Sequence, residues 1–258
     1  MRTASNELRD DLAGHASVGI DHEPPPFRLS MLGGFELSCA GAAFALPLAA
    51  QRVLAFVALQ ERPVQRAYVA GRLWLNASDQ HASASLRTTL WRAHLPAGHL
   101  LAATTTHLSL GPAVRVDLHD VLRCAQHVLR HTDAPTRDDL ACLLHGGDVL
   151  PDWYDDWLVF ERERVRQLRL LALEALCDHF SRAGRHSEAI QAGLAAVAGE
   201  PLRESAHRVL MRAHLADGNP GEAIRQYRIL ETLLHRALGL RPSPEMGALV
   251  TRCESGVT

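Results

Sequence analysis

The sequence predicts a mainly α chain in two modules. Short strands bracket three helices in an α+β module, and an all-α module built on a helical repeat follows. Three observations carry this reading. Alternating apolar runs fall near residues 27–46 and 100–118, while helical spacing dominates elsewhere. Part of the second half returns with a displacement of 34 residues. Basic side chains outnumber acidic ones only in the first module.

Composition sets the outer bounds. The 258 residues are 47% hydrophobic, enough to fill real cores. No apolar run approaches the ~20 residues needed to cross a bilayer, so no membrane association is expected. Residues 1–26 read as a disordered tail ending in Pro24-Pro25-Pro26, which favours extended chain. The tail lacks the apolar stretch of a signal peptide, which makes a cytoplasmic location the expectation. The five cysteines (Cys39, Cys124, Cys142, Cys177 and Cys253) are scattered and form no CxxC, so they read as reduced thiols. The chain contains no lysine at all. That excludes a P-loop lysine and a Schiff-base lysine, and leaves phosphate contacts to arginine, hydroxyls and backbone amides.

The elements of the first module follow in order. Phe27 to Leu32 and Phe35 to Cys39 alternate on either side of Gly33-Gly34, and Ala43 to Leu46 adds a third short run. Ala49 to Gln60 carries Val53, Leu54, Val57 and Ala58 at helical spacing and is stopped by Pro63. Gln65 to Leu75 gives a second helix with Val69, Leu73 and Trp74 inward. After the turn at Asn76, Ser83 to Leu95 gives a third, with Leu86, Leu90 and Ala93 as its core stripe. Leu100 to Thr104, His107 to Leu110 and Val114 to Leu118 read as strands of a hairpin. Strands, three helices and a hairpin are the chain order of a winged helix-turn-helix of the OmpR type, expected over residues 27–118. This segment has eight arginines against four acidic side chains, a balance suited to DNA.

From residue 119 to 258 the pattern is almost wholly helical. Gly184, Glu188, Ala189 and Ile190 return as Gly218, Glu222, Ala223 and Ile224, and Leu176 returns as Leu210. This is the period of tetratricopeptide repeats, here at about 170–203 and 204–237. Phe180, Pro201 and Tyr227 occupy aromatic and proline positions of that repeat. Two repeats rarely make a core, so flanking helices near 120–130, 137–144, 156–170 and 244–253 are expected to complete it.

The third helix carries the sharpest functional expectation. At 100° per residue Thr88 lies opposite Leu86, with Ser85 and Arg92 on the same outer side and Arg87 and Trp91 flanking. In a winged helix this face enters the major groove. There arginine suits guanine, and hydroxyls suit base edges or thymine methyls. The hairpin tip at Thr105, Thr106 and His107, with Arg52 and Arg72, forms a second candidate set for wing or backbone contacts. No cofactor is implied. The histidines make no HExxH and no zinc spacing with cysteine, so no metal site is expected. Asp152, Asp155 and Asp156 cluster among Trp153, Tyr154 and Trp157. They fit a helix start better than acid–base chemistry, and no enzyme is expected. The alternating charges from Glu161 to Arg169 read as a solvated, ion-paired helix face.

The stretch from Leu150-Pro-Asp-Trp-Tyr-Asp-Asp-Trp to Arg164, Ala172-Leu-Glu-Ala-Leu, Glu200-Pro-Leu-Arg-Glu-Ser-Ala-His-Arg and Leu238-Gly-Leu-Arg-Pro-Ser-Pro resemble the bacterial transcriptional activator domain. Ser85-Leu-Arg-Thr-Thr-Leu-Trp-Arg resembles the recognition helix of its partner module. Together they resemble the short form of the Streptomyces antibiotic regulatory protein family, from about Phe27 onward. The resemblance implies an activator that binds direct repeats in promoters of biosynthetic genes and recruits RNA polymerase, with two protomers side by side on DNA. It places Arg87, Thr88 and Arg92 at recognition positions. The family usually continues Trp-Arg with Leu-Arg, where this chain has Ala93-His94. That departure implies weaker DNA binding, or binding made pH-sensitive through His94. A rival reading keeps the fold and drops specific DNA binding, leaving a tetratricopeptide-like adaptor for protein partners.

Overall fold

A computed structural model describes residues 27–97, 100–130 and 134–254. The expected N-terminal tail lies outside the described residues, as do the side chains of Ala93 and His94. Strands β1 (Phe27–Ser30), β2 (Glu36–Cys39) and β3 (Ala42–Ala43) form an antiparallel run. Helix α1 (Leu48–Leu59) follows, then β4 (Val64–Gln65), α2 (Arg66–Leu73) and α3 (Asp79–Ala97). Strands β5 (Leu101–Ala103) and β6 (His107–Leu110) make a hairpin, with β4 on the other side of β6. The chain is a winged helix-turn-helix followed by a tetratricopeptide-like helical domain.

One strand is placed differently from the hairpin expectation. β7 (Val114–Val116) leaves β6 and pairs in parallel with β1, Phe27 opposite Val114, closing a sheet in the order β3-β2-β1-β7. The turn after Leu110 carries the chain to the other sheet, where Val116 is buried against the same core as Leu29. Alternation identifies a strand but not its partner.

Helices α4 (Asp117–Arg130), α5 (Arg137–Leu144), α6 (Asp156–Arg182), α7 (His186–Gly199), α8 (Glu204–Ala216), α9 (Pro220–Leu238) and α10 (Pro244–Glu254) complete the chain. The helix expected at 156–170 and the first repeat helix are one continuous α6. The repeat offset is visible in the backbone. Gly184 and Gly218 both take positive φ, +72° and +76°. Each stands at a helix end where glycine avoids the steric cost of that conformation. Arg185 N–H bonds Phe180 O at 2.9 Å, and Asn219 N–H bonds His214 O at 2.9 Å, one repeat later. Ala189 and Ala223 are fully buried in the seams between paired helices, as are Leu176 and Leu210. α7 runs so close to α8 that a Cβ on Gly193 would lie 3.0 Å from Leu210 Cδ1.

Among the described residues three apolar cores result. The first joins Leu29, Met31, Val53, Phe56, Val69, Leu86, Leu108 and Val116, and takes in Val149, Leu150, Trp157, Leu158 and Val165 from the far side of α4 and α5. The second lies among α4 to α8, and the third between α8, α9 and α10. Helix α4 serves two of them: Leu118 and Leu122 face the first core, Val121, Ala125 and Val128 the second.

Backbone bonds stitch the segment 148–150 to the first module. Gly33 N–H donates to Asp148 O at 2.8 Å and Leu150 N–H to Met31 O at 2.8 Å. Arg162 fixes the following turn. Its guanidinium donates to the carbonyls of Val149 (2.6 Å), Trp153 (2.7 Å) and Leu150. Leu150 itself has φ +46° and is fully buried. A bulky residue holds that conformation only where its surroundings over-determine it, here through packing and both of its peptide groups.

Candidate nucleic-acid interface

Helix α3 is positioned by its inner face. Ala82, Leu86 and Thr89 are buried and Leu90 is partly so, locking the rotation of the helix against α1 and α2. Ser78 caps its start, its Oγ 3.4 Å from His81 N, and Asp79 sits in the first turn where the helix dipole favours an acid. The opposite face presents Arg87, Thr88 and Arg92 to solvent, together with Trp91, which is 66% exposed. Ser85 lies at the edge of this face, half-buried. The Thr88 hydroxyl donates to Ala84 O at 3.0 Å, so its methyl and lone pairs are what it offers outward.

The hairpin tip is built rigidly. Thr104 N–H donates to His107 O at 2.9 Å, and Thr104 Oγ1 accepts from His107 N–H at 2.9 Å and Thr106 N–H at 3.3 Å. Arg66, the first residue of α2, clamps the tip from the side. Its backbone N–H bonds Thr106 O at 2.8 Å and its Nη1 bonds Thr104 O at 3.1 Å. Thr105 and Thr106 are exposed; His107 is half-buried with Nδ1 2.9 Å from Thr106 Oγ1. Arg66 escaped the sequence reading because its role depends on β4 pairing with β6, which no local pattern announces.

The remaining two candidates part company. Arg52 forms an ion pair with Asp155, its Nε 3.1 Å from Oδ1. Asp155 was expected to cap α6, but its side chain makes no cap bond and is spent on Arg52. Arg72, on the last turn of α2, is half-buried and has no acidic partner within ion-pair distance among the described residues. It borders an open cleft of about 530 Å³ shared with Arg52, Trp74 and Tyr154. Two aromatic side chains beside this cleft are packed. Trp153 stacks on Phe35 at 5.7 Å, and Trp157 meets Phe56 edge-on at 5.2 Å. Tyr154 alone points outward, 92% exposed. Among the described residues no group of three or more His, Cys, Asp or Glu side chains is arranged to hold a metal ion.

The arrangement offers a convex rod, two unpaired guanidinium groups and an indole, flanked by a stiff hydroxyl-bearing hairpin. Such a face can donate hydrogen bonds to an anionic surface. The model of the bacterial transcriptional activator domain matches residues 116–252, more than half of the chain. The chain belongs to that family. Its fold is similar to that of Mycobacterium tuberculosis EmbR, solved in complex with a low-affinity phosphopeptide. The TM-score is 0.64 at 22% identity, over 90% of this chain and 66% of that one, and it concerns the fold alone. No curated protein matches the sequence.

Proposed function

We propose that the protein is a sequence-specific DNA-binding regulator of the short antibiotic-regulatory type, activating a biosynthetic gene cluster. Residues 27–118 bind promoter direct repeats, two protomers side by side, with α3 in the major groove. Arg87, Thr88, Trp91 and Arg92 read or clamp the bases, Ser85 supports them, and Thr105, Thr106 and His107 meet the backbone with Arg72. Residues 119–258 contact RNA polymerase or the neighbouring protomer. The observation that carries this reading is the unpaired, exposed face of α3 opposite a fully locked inner face. Arg52 drops out of the contact set, because Asp155 holds it.

The test is selection of genomic fragments on the purified chain, repeated with Arg92→Ala. A recurring direct repeat, lost in the variant, is the expected result. Each phosphate contact adds about −0.9 to the slope of log affinity against log salt. Retention of all DNA equally, in both proteins, sinks the reading. The adaptor alternative draws on a specific feature, the exposure of Tyr154 (92%) and Phe160 (80%) on the helical domain. It gains ground if bulk DNA is bound no less tightly than any selected fragment.

A further inference from the structure

The open cleft of about 530 Å³ between α2 and the entry to α6 carries two donors that the fold leaves unused. Arg72, Trp74 and Leu75 line it from α2 and the turn that follows, and Tyr154, Asp155 and Trp157 line it from the other half of the chain. Trp157 is only 6% exposed, and among the described residues its Nε1 has no hydrogen-bond partner. The buried Nε of Arg72 has none either. Buried donors are nearly always bonded, so two orphans on one cleft call for an acceptor. Phe56 and Trp153 stand edge-on to the Trp157 ring at 5.2 and 6.5 Å, so those sides are filled and the cleft is the side from which an acceptor arrives.

Charge narrows the class of acceptor. Four charged groups border the cleft: Arg52, Arg72, Asp155 and Asp156. Arg52 and Asp155 neutralise each other. Asp156 stands exposed at the rim, in the first turn of α6. Arg72 has no acid within ion-pair distance among the described residues, so its guanidinium keeps its charge and its donors for the cleft. The walls beside it are aromatic or aliphatic. Trp74 is half-buried, Leu75 is 62% exposed, and Tyr154 is almost wholly exposed.

We propose that this cleft is a binding site for a small aromatic carboxylate. The carboxylate accepts from the Arg72 guanidinium and from the Trp157 indole N–H, and the flat ring lies against Trp74, Leu75 and Tyr154. Arginine suits a carboxylate because its planar fork offers two parallel N–H donors. A concave site with apolar walls and a few convergent donors is the usual form of a small-molecule pocket, and the volume falls in the range of roughly 300–1,000 Å³ that such pockets occupy. The occupant touches both halves of the chain, α2 on one side and the entry to α6 on the other. Arg72 is also placed above at the DNA backbone, but the cleft needs no DNA to fill, and the two uses are measured separately.

The experiment adds 1-naphthoate to the full chain, labelled with nitrogen-15 at tryptophan, and follows the indole N–H signals by NMR. The chain has four tryptophans, so Trp157 is identified by Trp157→Phe, or by elimination from Trp74→Phe, Trp91→Phe and Trp153→Phe if that variant fails to fold. A saturable downfield shift of the Trp157 signal is expected, with Trp91 on α3 as the unmoved reference. The neutral amide of the same ring, and inorganic phosphate, which has no ring, should each bind about tenfold more weakly or worse. Arg72→Gln should weaken naphthoate binding about tenfold or more. Asp156→Asn should bind it at least as tightly, since the substitution removes an unpaired like charge from the rim. A Trp157 signal that does not move, equal binding of the amide or of phosphate, unchanged affinity in Arg72→Gln, or weaker binding in Asp156→Asn overturns the proposal. No DNA is present in these titrations, so their failure leaves the DNA-binding reading untouched.

Discussion

The two halves of the molecule pair their arginines to different extents. In the helical domain nine form ion pairs, among them Arg123 with Asp120, Arg137 with Glu188, Arg166 with Glu163 and Glu200, Arg203 with Glu174, and Arg208 with Glu245, while Arg130, Arg212, Arg228, Arg236 and Arg241 stand exposed with no acidic partner within ion-pair distance among the described residues. In the winged module Arg28, Arg62, Arg87, Arg92 and Arg115 stand exposed, and among the described residues none has an acidic partner within ion-pair distance. The exception, Arg52, pairs with an aspartate of the other half. A lysine-free chain makes this contrast easy to see, since every permanent positive charge is an arginine. Paired arginines hold helices together at modest gain, because exposed pairs contribute little. Unpaired ones keep their field and their donors for something outside the chain.

The contrast can be broken first at the joint. Trp157 belongs to the helical half but is buried in the first core. Trp157→Ala should cost about 3–5 kcal/mol of unfolding free energy, as a large buried side chain leaves a cavity. Denaturant melts followed separately by probes in each half should shift together; a loss confined to α7–α10 would show that the halves do not share this core.

Next comes the DNA face. Arg92→Ala should weaken specific DNA binding by about 1–3 kcal/mol, roughly ten- to hundredfold, with stability unchanged. Arg166→Ala, in the paired set, should leave DNA affinity alone. Equal effects of the two substitutions in a binding titration would erase the distinction between paired and unpaired arginines.

Arg52→Ala tests the bridge between the halves. Removing it strands the Asp155 carboxylate, whose side chain is 20% exposed, and should cost about 1–2 kcal/mol. Asp155→Asn should cost less, since the amide oxygen still accepts from Arg52. The order of the two melting temperatures decides it.

The smallest expected effect sits inside the repeats. His207 is fully buried, donates from Nε2 to Pro201 O at 2.9 Å and accepts on Nδ1 from Gln226 at 2.7 Å. Burial holds the ring below the ordinary pKa of 6.5, so it stays neutral where the unfolded chain would take up a proton. Its stabilising share is complete above pH 6.5 and is lost as pH falls below that value. Melting temperature against pH should therefore slope downward on the acid side. His207→Gln, which still accepts from Gln226, should flatten that slope, and an unaltered profile would assign it to other groups.

Much of this was legible before the fold was known. The stripes of α1 and α2 and the inward Leu86 of α3 follow from apolar spacing, and all these positions are buried or nearly so. The repeat offset read from Gly184 and Gly218 reappears as matching φ angles. The fusion of α6 was not legible, because a helix and the repeat that follows it share one periodicity and no breaker stands between them. The partner of Asp155 was not legible either, since an aspartate at a helix start has a sufficient local explanation and Arg52 is 103 residues away.

The sequence by itself determined the helices, the repeat period, the absence of lysine and the outward set Arg87, Thr88, Trp91 and Arg92. These depend on periodicity and composition, which act over a few residues. Tertiary structure decided that β7 crosses to β1, that Arg66 braces the hairpin tip and that Arg52 belongs to Asp155. Those choices rest on which surfaces are left to pair once each element has buried its apolar face, and that is settled only when the whole chain is packed.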